Sequence, residues 1–116
     1  MVVTIRDRYV VFRVNSQSSI PNLSDLKNKI WSKYQLIFGL SGTSEAGLYF
    51  ESYDENTGLG IVRCTSKSLS SLMKIFAVIT QIMDIEVIIQ VLLVSGLMKK
   101  VKACLSDQDS QNHNVD

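Results

Sequence analysis

A chain of 116 residues fits one ordinary domain, and 46% hydrophobic against 20% charged residues, with one Pro and six Gly, excludes a disordered or fibrous protein. The net charge of +1 hides a division: residues 1–104 hold all twelve Lys and Arg against eight acids, a balance of +4, whereas 105–116, LSDQDSQNHNVD, carry three acids and no Lys or Arg. Bulk charge this small excludes attraction of nucleic acid by net field alone, so any such contact must come from clustered cations.

Tyr9–Val14, YVVFRV, is rich in β-branched and aromatic residues and predicts a first strand. Pro21-Asn22 opens a helix, with Asn22 as N-cap, Asp25 in the first turn and the stripe Leu23, Leu26, Ile30, Tyr34, Ile37 at helical spacing. Gly39 and Gly42 predict a flexible loop. LYFESY (48–53) and GIVRCT (60–65) flank DENTGL and predict two antiparallel strands joined by a longer turn.

A second helix is expected from Thr65 or Ser66, with Leu69, Leu72, Met73, Phe76, Thr80 and Met83 on one side and Ile75, Val78 and Ile82 on the other. A helix apolar on two faces is buried on both. The fourth strand, near Val87–Val94, is apolar at almost every position, so both faces of the sheet want cover there. A short third helix follows Ser95-Gly96, with Leu97, Met98, Val101 and Leu105 inward.

The order is β-α-β-β-α-β plus a C-terminal helix, which predicts an α+β, ferredoxin-like, RNA-recognition-motif-like two-layer sandwich with a four-stranded antiparallel sheet. A single domain is expected over 1–105 and a short disordered acidic tail over 106–116. The longest apolar region, Ile75 to Met98, is broken by Gln81, Asp84, Glu86 and Gln90, whereas a bilayer helix needs about 20 predominantly apolar residues, so no membrane contact is expected. The N-terminus lacks the pattern of a secretory signal and two cysteines make no disulfide framework, which points to a reducing, intracellular compartment.

Catalytic patterns are weak. The single histidine, His113, lies in the tail, away from any nucleophile. Cys64 and Cys104 lack the paired spacing of a zinc site and read as core residues. Asp54 and Glu55 share a turn, where acids serve solubility and local hydrogen bonds more often than a divalent ion. No phosphate-cradling glycine pattern follows a strand. RNA-recognition motifs stack bases on aromatics of their central strands, and LGIVRCT has none, so the sheet face is expected to be covered by the extra helix or by another protein.

The densest positive charge lies just past the last strand, at Lys99, Lys100 and Lys102. Two lysines in the first turn of a helix oppose its dipole, and a phosphate reverses that sign by taking the free amides after Ser95-Gly96 together with the lysine charges. Lys67 sits in the first turn of the second helix just past Arg63, and Arg6 and Arg8 precede Tyr9. Each group stands at a strand or helix end. Together they suggest one phosphate-tracking surface, through Arg6, Arg8, Arg63, Lys67, Ser95, Gly96, Lys99, Lys100 and Lys102.

Arg6-x-Arg8-Tyr9, TGLGIVRC (57–64) and VSGLMKK (94–100), with Gly42, Ala46 and Tyr53 between them, give residues 2–105 a pattern that resembles the small protein subunit of ribonuclease P and MRP. This is the Pop-five family, protein component two in archaea. Leu97 stands where that family usually has Thr, and Val3 or Thr4 where a further basic residue is usual. The resemblance implies RNA as the source of the phosphates, and a non-catalytic subunit that binds and stabilises ribonuclease P RNA, contacts precursor tRNA indirectly or weakly, and pairs with a TIM-barrel-like protein subunit. The RNA, with its Mg²⁺, would remove the 5′ leader, and the protein itself would bind no cofactor. The location would be cytoplasmic in an archaeon and nuclear or nucleolar in a eukaryote. The reading that competes is a ferredoxin-like protein-interaction or small-ligand module whose lysines only solubilise a helix; RNA that co-purifies with the chain separates the two.

Overall fold

Strand β1 (Asp7–Asn15) serves two interiors at once, because successive side chains on a strand point to opposite faces. Val10, Phe12 and Val14 enter one core and Val11 the other, and all four are fully buried. The computed structural model describes the backbone of residues 7–45 and 47–113 and the side chains of 7–39 and 47–108. In it, β1 pairs antiparallel with β3 (Leu59–Thr65) on one side and β6 (Ile88–Ser95) on the other, and β2 (Tyr49–Tyr53) pairs with β3. The sheet order is β2-β3-β1-β6, so β2 and β6 form its borders. Helices α1 (Leu23–Glu45) and α2 (Leu69–Val78) cross over one face, and α3 (Met98–His113) lies on the other. This is the ferredoxin-like, RNA-recognition-motif-like sandwich with an added helix.

The larger core fills the space under α1 and α2. Leu26, Ile30 and Tyr34 of α1 and Leu72, Ile75 and Phe76 of α2 close over Phe12, whose ring centroid lies 5.4 Å from Phe76 and 6.2 Å from Tyr53. The Asp25 amide donates to Asn22 Oδ1 at 2.8 Å, the N-cap bond expected at this helix start. The smaller core places Val101 of α3 on Val11, Leu59 and Ile61, with Tyr9, Leu93, Met98 and Leu105 around it. Burying Val101 contributes about 2 kcal/mol, and the second cover explains why the strands are apolar on both faces.

Four boundaries differ from expectation, each for a local reason. Helix α1 does not give way to a loop at Gly39; it kinks there (φ 75°, ψ −179°) and the chain re-enters helix to Glu45. Ile37, expected in the buried stripe, is exposed, and Phe38 packs against Tyr34 instead, with centroids 5.2 Å apart. Helix α2 starts at Leu69 behind a turn in which the Ser68 amide donates to Thr65 Oγ1 at 3.2 Å. It ends at Val78, far short of Met83, because the β-branched run Val78-Ile79-Thr80 favours extended backbone. The chain then forms a small hairpin, β4 (Gln81–Ile82) with β5 (Ile85–Glu86), turning at Met83 and Asp84, both in the left-handed region. Helix α3 is not short: it continues past Leu105 to His113, through a segment with no Gly or Pro to stop it. Among the described residues, no helix is long and apolar enough to cross a membrane.

Candidate nucleic-acid interface

The strand registers bring the start of β1 and the ends of β3 and β6 to one edge of the sheet, since Asp7 pairs with Thr65 and Tyr9 with Ser95. Arg8, Ser95 and Gly96 line an open cleft of about 610 Å³ there, together with Asp7, Tyr9, Val94 and Leu97. Arg8 Nη1 donates to the Asp7 carbonyl at 3.0 Å, and a Cβ at residue 96 would stand 3.1 Å from that nitrogen, so Gly96 leaves the guanidinium its place. The Leu97 amide donates to Ser95 Oγ at 3.0 Å. Ser95 thereby shapes the entry to α3, which needs no hydroxyl at residue 97, and the Leu97 side chain is 58% exposed.

Lys99 and Lys100 occupy the first turn of α3, directly beyond the cleft, and that turn holds no acid. The Lys100 and Val101 amides both turn to the Leu97 carbonyl, at 3.1 and 3.3 Å. Helix geometry leaves the other first-turn amides without intrahelical acceptors, so the positive end of the dipole and two ammonium groups meet at one place. Lys102 shares a helix flank with Lys99, three residues before it. Lys67 is exposed in the connection from β3 to α2, two residues past the paired end of β3. None of these lysines has an ion-pair partner among the described residues.

Arg63 is different. It lies on the sheet face rather than at the edge, 3.5 Å from the Glu51 carboxylate and with its guanidinium 4.9 Å from the centroid of the Tyr49 ring. Arg6 falls outside the described residues. The structure thus gathers Arg8, Ser95, Gly96, Lys67, Lys99 and Lys100 at one edge, sets Lys102 about a turn farther along α3, and leaves Arg63 in its own cluster.

The titratable groups elsewhere offer little chemistry. Burial pushes the Cys64 thiol up to about 11, and burial also raises Cys104, so both favour the unreactive protonated form. Asp54 accepts from the Asn56 amide at 2.8 Å, and Glu55 from the Leu23 amide at 3.0 Å, which is turn and helix-start bonding. Among the described residues, no group of three or more His, Cys, Asp or Glu could hold a metal.

Tyr49 escaped the sequence reading. Counting back from the hairpin turn with unbroken pairing sets Phe50 opposite Arg63. The observed bulge at Glu51 shifts the register, so Phe50 faces Val62 and Tyr49 faces Arg63. One extra residue on a strand exchanges its faces, and nothing in FES announces it.

An α+β sandwich with sheet order β2-β3-β1-β6, two helices on one face and a third on the other, defines a protein of RNA-recognition-motif-like fold. A profile of the Rpp14/Pop5 family matches residues 8–105, and the chain belongs to that family. It is 33% identical over 101 residues to ribonuclease P protein component 2 of Pyrococcus furiosus, covering 85% of this chain and 83% of that protein. It is 32% identical over 97 residues to the component of the same name from Archaeoglobus fulgidus, covering 84% and 85%. A chain in a cryo-EM structure of yeast ribonuclease MRP superposes with a TM-score of 0.64 over 99% of this chain and 100% of that one; at 8% identity this likeness speaks to the fold alone.

Proposed function

We propose that this chain is a non-catalytic protein subunit of ribonuclease P, which binds the catalytic RNA and stabilises its folded form for removal of 5′ leaders from precursor tRNA. The observation that carries the reading is the gathering of Arg8, Lys67, Lys99 and Lys100 at one sheet edge, beside the first turn of α3. Phosphate oxygens of the RNA accept hydrogen bonds from the first-turn amides while the lysines offset their charge. The hydrolysis belongs to the RNA and its Mg²⁺. Precursor tRNA touches this chain weakly or indirectly.

The family of ribonuclease P components supports an RNA partner and protein partners. For the latter we assign the TIM-barrel-like subunit to α2 and β6, the two doubly apolar elements, where Val78 and Ile88 are left exposed in this chain. The compartment follows the RNA, cytoplasm in an archaeon and nucleus or nucleolus in a eukaryote.

Each neutralised phosphate contributes about 0.7–0.9 to the slope of log K against log salt. Replacing Lys99 and Lys100 together by Ala is expected to flatten that slope for transcribed ribonuclease P RNA by about 1.4–1.8, with an unchanged circular-dichroism spectrum. An unchanged slope removes both lysines from the interface.

A further inference from the structure

The face of the sheet that carries α3 is not wholly covered. Val101 and Leu105 hold the helix over Val11, Leu59 and Ile61, and beside it one row of paired residues crosses all four strands. Tyr49 of β2 pairs with Arg63 of β3, Arg63 with Tyr9 of β1, and Tyr9 with Ser95 of β6. Directly paired residues share a face, so an aromatic ring stands on either side of a guanidinium, and the row ends at the serine that shapes the entry to α3. Tyr9 is half-buried against the smaller core, whereas Tyr49 is 55% exposed.

We propose that this row is a stacking site for an unpaired nucleotide of the bound RNA, with the base on the open face of Tyr49. The inference rests on the RNA-binding reading above and names a contact within it. Arg63 lies over the Tyr49 ring at 4.9 Å and 3.5 Å from the Glu51 carboxylate, so a guanidinium already lines one face of the ring. A planar guanidinium stacks on π-systems as readily as it meets phosphate. A base needs a π-face, and its flanking phosphates need cations. The row supplies the first and runs into the edge that supplies the second, through Ser95 to Lys99 and from β3 to Lys67. A duplex hides its base faces, so the site selects single-stranded or bulged segments and tolerates any base sequence.

The experiment compares Tyr49→Leu and Tyr49→Phe in the full chain. The probes are a short single-stranded RNA of mixed sequence and the same sequence as a duplex, followed by fluorescence anisotropy over a salt series. Leu keeps bulk and strand preference without the π-face; Phe keeps the ring. Tyr49→Leu is expected to weaken single-strand binding by about 5- to 150-fold, with the salt slope and duplex affinity unchanged, while Tyr49→Phe keeps most of the affinity. Equal affinity of Tyr49→Leu and wild type for the single strand overturns the stack and leaves the phosphate contacts standing. Equal loss on single strand and duplex also overturns it. Wild type that binds neither probe but holds transcribed ribonuclease P RNA overturns the stack alone, and wild type that binds none of the three ends this inference and the RNA-binding reading together. Should Tyr49→Leu fail to fold, ultraviolet cross-linking of the wild-type chain to thiouridine-labelled single strand decides: adducts on the peptide containing Tyr49 support the site, and adducts confined to other peptides overturn it.

Discussion

Replacing Gly58 by Ala should cost this protein a large part of its stability, and the structure says why in two separable terms. Gly58 sits at φ 77°, and a Cβ there would overlap the carbonyl oxygen of Val14, with the Val14 backbone carbon and nitrogen at 3.2 and 3.3 Å. The left-handed backbone costs a non-glycine residue about 1–2 kcal/mol. Relief of the overlap requires the turn to move off β1, which gives up the bond from the Val14 amide to the Gly58 carbonyl and strains that from the Gly58 amide to the Asp54 carbonyl, both 2.8 Å. At about 1 kcal/mol each, the total loss is about 3–4 kcal/mol, against about 5–15 for a whole domain. Urea unfolding followed by fluorescence of Trp31, which packs 6.3 Å from Tyr34 between ring centroids, reads it directly. Gly58→Asn divides the terms, because Asn tolerates left-handed backbone but keeps the Cβ. Asn should recover only the backbone part. A loss below about 1 kcal/mol for Ala, or full recovery with Asn, refutes the steric account.

Alkaline pH should unfold the protein progressively. Burial, then the nearby carboxylates of Glu55 and Asp54, push the Tyr53 phenol up to about 12 from 10.0, and burial pushes Cys64 to about 11 from 9.0. The folded state prefers both protonated forms, so their contribution is whole below pH 9 and is lost as pH rises toward 11–12; a melting temperature flat across that window contradicts it. Tyr53→Phe also removes the hydroxyl that donates to the Pro21 carbonyl at 2.8 Å, and is expected to lower stability by about 1 kcal/mol in urea titrations near neutrality. Met83→Asn should act in the opposite direction. Met83 and Asp84 occupy the left-handed region in a two-residue turn, and Met83 is 70% exposed. Asn suits that backbone, so a gain of about 1 kcal/mol is expected, and a lower urea midpoint contradicts it.

The sheet was legible because its strands are short runs of β-branched, aromatic and other apolar residues, and because Asp, Asn and Gly mark the turn between β2 and β3. The N-cap at Asn22 and the stripe Leu26, Ile30, Tyr34 were legible for the same local reason. The end of α2 was not. Ile79 and Ile82 are buried at a spacing of three, which fits a helix as well as the turn and hairpin that the chain adopts. Cover for the fourth strand could be inferred from its apolar faces, but α3 as one cover could only be given as one of two options. At the candidate interface, sequence places cations at element ends, and only strand register decides which ends coincide. Tyr49 was hidden by the bulge at Glu51, a feature of pairing that leaves no mark on composition.

β6 closes one side of the sheet with IIQVLLVS, a stretch without a charge or a proline. Natural sheets guard such rims with lysines, prolines or short strands, because unpaired amides and carbonyls template further strands. In isolation this rim is the expected place for pairing between copies, so the soluble lifetime of the lone chain should shorten as its concentration rises. A partner that seals the rim lengthens it, which makes joint production with that partner the natural condition for handling the protein.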